Sequence, residues 1–159
     1  MKKIITLLLL TVNIHILANS HHEIEQIIQS NNEPFGVVFE LVEGDKDAWQ
    51  WAGPLLKSHT EALRKKYPDI AIAIVSHGYE QFRLTKSSAQ TNQKALNILT
   101  ELVSKQSADL HVCGTHSSWY QVPDEDYIDI VDVAVSGPAK INDYLNLDYQ
   151  LVELVDPNL

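Results

Sequence analysis

A chain of 159 residues with 12 basic against 21 acidic side chains, net charge −9, suits neither nucleic acid nor an anionic lipid surface, since both need clustered cations. Its one cysteine can make no internal disulfide, so packing must supply the stability, and the unpaired thiol has to be buried, bound or used. Nothing in the composition calls for a cofactor.

Lys2 and Lys3 precede an apolar run from Ile4 to Leu17, and Ala18-Asn19-Ser20 has the small-residue pattern of a processing site. The run is too short to span a bilayer, and Asn13 and His15 interrupt it. Residues 1–20 therefore read as a signal peptide cleaved between Ser20 and His21. The expected product is periplasmic, with no membrane partner once the leader is gone. About 140 residues remain, enough for one domain with a real core.

Residues 21–34 are polar, with Ile24, Ile27 and Ile28 at helical spacing, and read as a short helix or a loose N-terminal arm. The domain proper, 35–159, begins after Pro34. Gly36 to Val42 is a β-branched and aromatic run of strand length, closed by Gly44-Asp45. From Asp47 to Tyr67 apolar residues recur at steps of three and four, with Asp47 as N-cap candidate. Gly53-Pro54 predicts either an early kink or a loop with the helix beginning near Pro54. Ile70 to Val75 is nearly all apolar, the mark of a strand covered on both faces. Tyr79 to Leu84 reads as a connector and Lys86 to Asn92 as a polar loop. A second amphipathic helix follows over Thr91 to Lys105, then a short strand from Asp109 to Cys113. Gly114 would free the turn after it, and Thr115 or Ser117 would cap a following helix. Asp124-Glu125-Asp126 is an acidic turn, Val131 to Val135 a fourth strand, and Ser136-Gly137-Pro138 opens a helix with Ile141, Tyr144 and Leu145 inward. Tyr149 to Leu154 is a fifth strand.

Alternating strands and helices predict an α/β fold with a mainly parallel sheet. In such sheets ligands bind beyond the carboxyl ends of the strands. His77-Gly78, Cys113-Gly114 and Ser136-Gly137 all fall there. Cys113, followed by an amide-rich turn with His77 or His116 in reach, has the surroundings that lower a thiol pKa and make a nucleophile. The competing reading is a small buried hydrophobe. Three other chemistries fit parts of the pattern. Cys113-x-x-His116 has ligand-like spacing for Zn or Cu, with His77 or His111 as a third donor, although His111 shares the face of Cys113 on one strand and four ligands are not found. A Cys113–His77 hydrolase pair would need an orienting group and an oxyanion hole. A non-catalytic binding or assembly protein would use Trp119, Tyr120 and Tyr127 to line a pocket.

The ordered features Ile74-Val75-Ser76-His77-Gly78, Leu110-His111-Val112-Cys113-Gly114, Val122 to Asp126, Val133-Ala134-Val135-Ser136-Gly137 and the closing Asp148 to Val152 resemble the DsrE/DsrF-like (YchN-like) family, in particular its exported single-domain members. The resemblance spans about residues 36 to 155. It implies a three-layer α/β/α domain with a five-stranded sheet, assembled as a homo-oligomer. It further implies that Cys113 is the position that carries persulfide sulfur in the sulfur-relay members, exchanging it with a donor or acceptor protein or small molecule. On that reading Cys113 and His77 do the chemistry, while Gly78, Gly114, His116, Trp119, Ser136 and Gly137 shape the binding rim, and no metal or cofactor is required.

Overall fold

In the first strand, β1 (Gly36–Leu41), every residue but Glu40 is buried, which requires cover on both sides of the sheet. The computed structural model describes residues 20–158; the predicted leader, save Ser20, lies outside the described residues. The remaining strands are β2 (Ala71–Ser76), β3 (Asp109–Cys113), β4 (Asp132–Ala134) and β5 (Tyr149–Glu153). They form one sheet in the order β4-β3-β2-β1-β5, every neighbouring pair parallel. The helices are α1 (Ser20–Gln29), α2 (Trp49–Lys66), α3 (Gln93–Gln106), α4 (Gly114–Trp119) and α5 (Gly137–Leu145). None of them is long and apolar enough to cross a membrane.

Strand alternation divides the side chains into two layers. Val37, Phe39 and Leu41 of β1, Ile72 and Ile74 of β2, and Leu110 and Val112 of β3 join the large core that α1, α2 and α3 cover. Val38, Ala73 and Val75 point the other way, onto Ile141 and Tyr144 of α5. The protein is therefore a three-layer α/β/α fold in which three helices cover one face and a single helix the other. Fully buried residues such as Phe39, Leu56, Leu63, Ile74 and Leu99 each contribute about 1.5–3 kcal/mol of transfer free energy.

Several boundaries differ from the pattern reading. The segment before Pro34 is no loose arm: Ile24 and Ile27 are buried in the large core, and Tyr67 donates a hydrogen bond to the Ser30 carbonyl at 2.9 Å. The second helix runs unbroken from Trp49 through Pro54. Pro54 is only its sixth residue, so the missing N–H costs one bond close to the first turn. Asp47 does not cap it. Asp45 instead accepts the Asp47 N–H at 2.9 Å, capping the short 3-10 turn Lys46–Ala48, and the Asp47 carboxylate pairs with Arg83 at 2.9 Å. Helix α3 starts at Gln93 behind an Asn92 cap. Leu145 is exposed rather than inward: Ile141 and Tyr144 make the sheet-facing side of α5, and the next residue turns away from it. β4 is an edge strand of three residues, and Val135, assigned to it by pattern, is 89% exposed.

His59 of α2 is buried among Phe39, His21 and Ser20, whose hydroxyl lies 3.2 Å from its Nε2. Cleavage after Ser20 would remove that hydroxyl. Burial, helped by the neighbouring His21, lowers the His59 pKa from 6.5 to about 4. The folded state keeps His59 neutral while the unfolded chain protonates it below 6.5. Its contribution is full above that pH and lost as pH falls through about 4, a change of about 3 kcal/mol. Urea denaturation between pH 7 and pH 4 should show this decline, and His59→Gln should flatten it.

Candidate functional site

The connection leaving β3 places Val122, Tyr127 and Ile130 against the large core, whereas the connection leaving β4 is α5, on the opposite face. The carboxyl ends of β3 and β4 therefore flank the point where the cover changes sides, the place where open α/β sheets form crevices. Cys113 and Gly114 end one strand, and Ser136 and Gly137 follow the other.

Cys113 is 5% exposed and its thiol is free. It is itself the N-cap of α4: its Sγ accepts the His116 backbone N–H at 3.4 Å. The caps expected at Thr115 or Ser117 are thus not used, because the helix begins one residue after the strand. Thr115 donates its hydroxyl to the Val135 carbonyl at 2.7 Å, and Ser117 lies buried inside α4. Gly114 does not adopt a positive φ. A glycine is favoured there by crowding, since a Cβ would stand 3.0 Å from the Ala134 carbonyl oxygen of the neighbouring strand.

His77 lies just past β2. The β2–β3 register pairs Ser76 with Val112, so the next step sets His77 beside Cys113 on the α5 face. Its Nε2 is 2.7 Å from Glu40 Oε1, in a part-buried pair. Because a carboxylate only accepts, His77 donates from Nε2, and Glu40 fixes the ring as the carboxylate of a catalytic triad does. Pattern reading found no such orienting group. The β1 register supplies it: Glu40 pairs with Val75, two residues before His77. Gly137 packs directly against this ring, and a Cβ there would come within 2.6 Å of His77 Cβ. Ser136 precedes it as the α5 N-cap position, with no side-chain cap bond.

His116 meets the thiol through its backbone N–H and His77 through its ring: Nδ1 donates to the His77 carbonyl at 3.0 Å. The ring stands among Tyr79, Phe82, Trp119 and Tyr120 in edge-to-face contacts, and the hydroxyls of Tyr79 and Tyr120 are hydrogen-bonded. Trp119 is 71% exposed on this cluster. Tyr127 does not join the rim. It is buried, and its hydroxyl meets Ser117 Oγ at 2.7 Å, since the chain after Asp126 turns under α4. His111 also turns away, onto Tyr144 of α5 at 2.8 Å. Among the described residues no group of three or more His, Cys, Asp or Glu side chains is placed to hold a metal ion.

Two residues that pattern reading left in a connector carry the site's framework. The 3-10 helix Tyr79–Leu84 buries both Glu80 and Gln81 completely. Gln81 accepts the Cys113 N–H at 3.0 Å and donates to the Cys113 carbonyl at 3.3 Å and to Ser117 Oγ at 3.2 Å. Glu80 accepts from Glu43 N–H, Ser76 hydroxyl and Gly78 N–H at 2.8, 2.8 and 3.0 Å. Burial raises the Glu80 pKa, and those hydrogen bonds pull against it. Gly78 is sterically required, because a Cβ would stand 2.3 Å from both Glu43 N and the Glu80 carboxylate. The only sequence signal for this pair is two polar residues within a segment rich in aromatic neighbours.

No family model matches the chain, and no curated protein matches it. Among solved structures it is similar to a protein of unknown function, MTH1491 from Methanobacterium thermoautotrophicum. The TM-score is 0.58 at 20% identity, over 74% of this chain and 96% of that one. At that identity the likeness is one of fold.

Replacing Gln81 by leucine keeps the volume near constant but leaves the Cys113 N–H buried without a partner. Gln81→Leu should cost about 2–4 kcal/mol in chemical denaturation.

Proposed function

We propose that the protein is an exported, DsrE-like sulfur carrier in which Cys113 accepts and passes on a sulfane sulfur atom. The observation that carries this reading is the Cys113 Sγ as acceptor of the His116 N–H at the head of α4, which fixes the sulfur at the carboxyl end of the strand. The Glu40–His77 pair on the same face supports it by offering a base for the thiol proton. The thiolate attacks the outer sulfur of a persulfide donor R–S–SH. The donor S–S bond breaks, R–S⁻ leaves, and Cys113–S–SH forms, with no net oxidation. The thiol is buried, so a donor must displace part of its cover to reach it. In the closed form the bound sulfur is kept from water.

A second reading, assembly or ligand binding without chemistry, is favoured by the exposed apolar residues near this rim: Trp119, Tyr120, Val135, Val42 and Val155. A homo-oligomer joined across the rim would cover them.

Intact mass of the protein from periplasmic extract, with and without reductant, separates the two. The carrier should show a reductant-labile gain of one sulfur atom, absent in Cys113→Ser. Serine is itself a favourable N-cap, so that variant should keep wild-type stability. A thiol with no added sulfur and no reaction with alkylating reagent would instead support assembly, and Trp119→Glu should then shift the oligomer toward monomer. The same spectrum reads whether the chain starts at His21.

A further inference from the structure

The α5 face of the sheet carries a groove that runs from Ser136 at the rim along β4 and that Cys113 does not line. It is an open cavity of about 450 Å³ between the edge strand β4 and α5, lined by His111, Asp132, Ser136, Lys140 and Asp143 among others. Its size is that of a small-molecule site.

His111 gives the groove its chemistry. The residue is only 6% exposed. Its Nε2 is 2.8 Å from Tyr144 Oη, and Tyr144 donates its single proton to Asp109 Oδ2 at 3.0 Å. With that proton committed to a carboxylate, Tyr144 can only accept from His111. The chain Asp109–Tyr144–His111 therefore places the imidazole proton on Nε2 and leaves the lone pair on Nδ1. Nδ1 has no hydrogen-bond partner among the described residues, and the ring lines the groove. Burial lowers the His111 pKa, with Lys140 acting in the same direction and Asp109 and Asp132 against it. Burial and Asp109 raise that of Tyr144. Both groups thus stay neutral at pH 7.

The rest of the lining mixes Val133, Ala134, Val135 and Ala139 with Ser136 and three charged residues. Asp132, Asp143 and Lys140 make no ion pair or hydrogen bond with one another or with other side chains among the described residues. The Lys140 ammonium instead stands over the Tyr144 ring, 5.3 Å from its centre. The Asp132 carboxylate and the His111 lone pair, on register partners of β4 and β3, are acceptors for a protonated amine. Lys140, on the α5 wall of the groove, is a donor for an anion. The groove therefore suits a molecule with two separated charges.

We infer that this groove binds a small zwitterion the size of a free amino acid, its protonated amine held by His111 and Asp132 and its carboxylate by Lys140. The site is independent of the sulfur-carrier reading, since Cys113 does not line it.

The test is an NMR titration of the uniformly ¹⁵N-labelled full chain, following the His111 imidazole nitrogens. L-alanine and L-glutamine are the probes, with ethylamine and propionate as single-charge controls. The zwitterions should move Nδ1 saturably, and each control should bind at least about tenfold more weakly. Lys140→Met, which keeps the aliphatic contact with Tyr144, and Asp132→Asn should each weaken alanine binding about tenfold. Cys113→Ser should leave it unchanged, so failure of the sulfur reading and failure of this one are distinguishable. Unmoved His111 signals, or equal responses to zwitterion and single-charge controls, would overturn the inference even if a variant failed to fold. So would an extended peptide shifting the amides of 132–135 while His111 ignores both amino acids; that result would make β4 a strand-pairing edge instead.

Discussion

The rim of this sheet depends on one side-chain amide. Cys113 ends β3 with its N–H and carbonyl buried, and Gln81 satisfies both from a different part of the chain. Buried main-chain groups without partners cost more than a typical hydrogen bond contributes, so the amide's main effect is to avoid a penalty. Its neighbour Glu80 does the same for Gly78 and Glu43. Together the two residues bind the ends of β1, β2 and β3 to one 3-10 turn, and the thiol, His77 and α4 take their positions from it. A buried carboxylate with only hydrogen bonds to hold it is energetically expensive. That cost is offset because three donors converge on it, and the result is a loop with little freedom around the sulfur.

The unequal cover of the sheet explains where chemistry is placed. Three helices and a continuous apolar core seal one face. The other face has the nine-residue α5 and a small cluster. Polar residues pointing to the second face, Glu40, His77, Asp109, His111 and Cys113, are the ones that alternation puts opposite the large core. They pair among themselves and with α5: Glu40 with His77, and Asp109 with Tyr144 and Tyr144 with His111. Each pair fixes a histidine tautomer. The sealed face holds the fold together, and the thinly covered face holds the titratable groups.

Much of this was legible locally. The β-branched runs of β1 and β2 and the three- and four-residue spacing of α2 and α3 follow from side-chain geometry and burial, which depend on near neighbours in sequence. The strand-end positions of His77, Cys113 and Ser136-Gly137 came from the same periodicity. Local patterns failed where a long-range contact decided. Pro54 stayed inside a helix because α2 is buried along Ala52, Leu55 and Leu56. Val135 was excluded from β4 because its partner strand β3 ends at Cys113, opposite Ala134, and turns into α4. Tyr127 went to the core because the chain passes beneath α4.

By itself the sequence determined the alternation of elements and the single thiol at a strand end. Those properties are written in periodicity and in single residue identities. Only the tertiary structure decided what surrounds them. Glu40 lies 37 residues from His77, Gln81 lies 32 from Cys113, and Tyr144 lies 33 from His111. Each pair meets because parallel register and one helix crossing bring distant positions to the same face. No local pattern encodes a hydrogen bond whose partner is set by how the sheet is ordered.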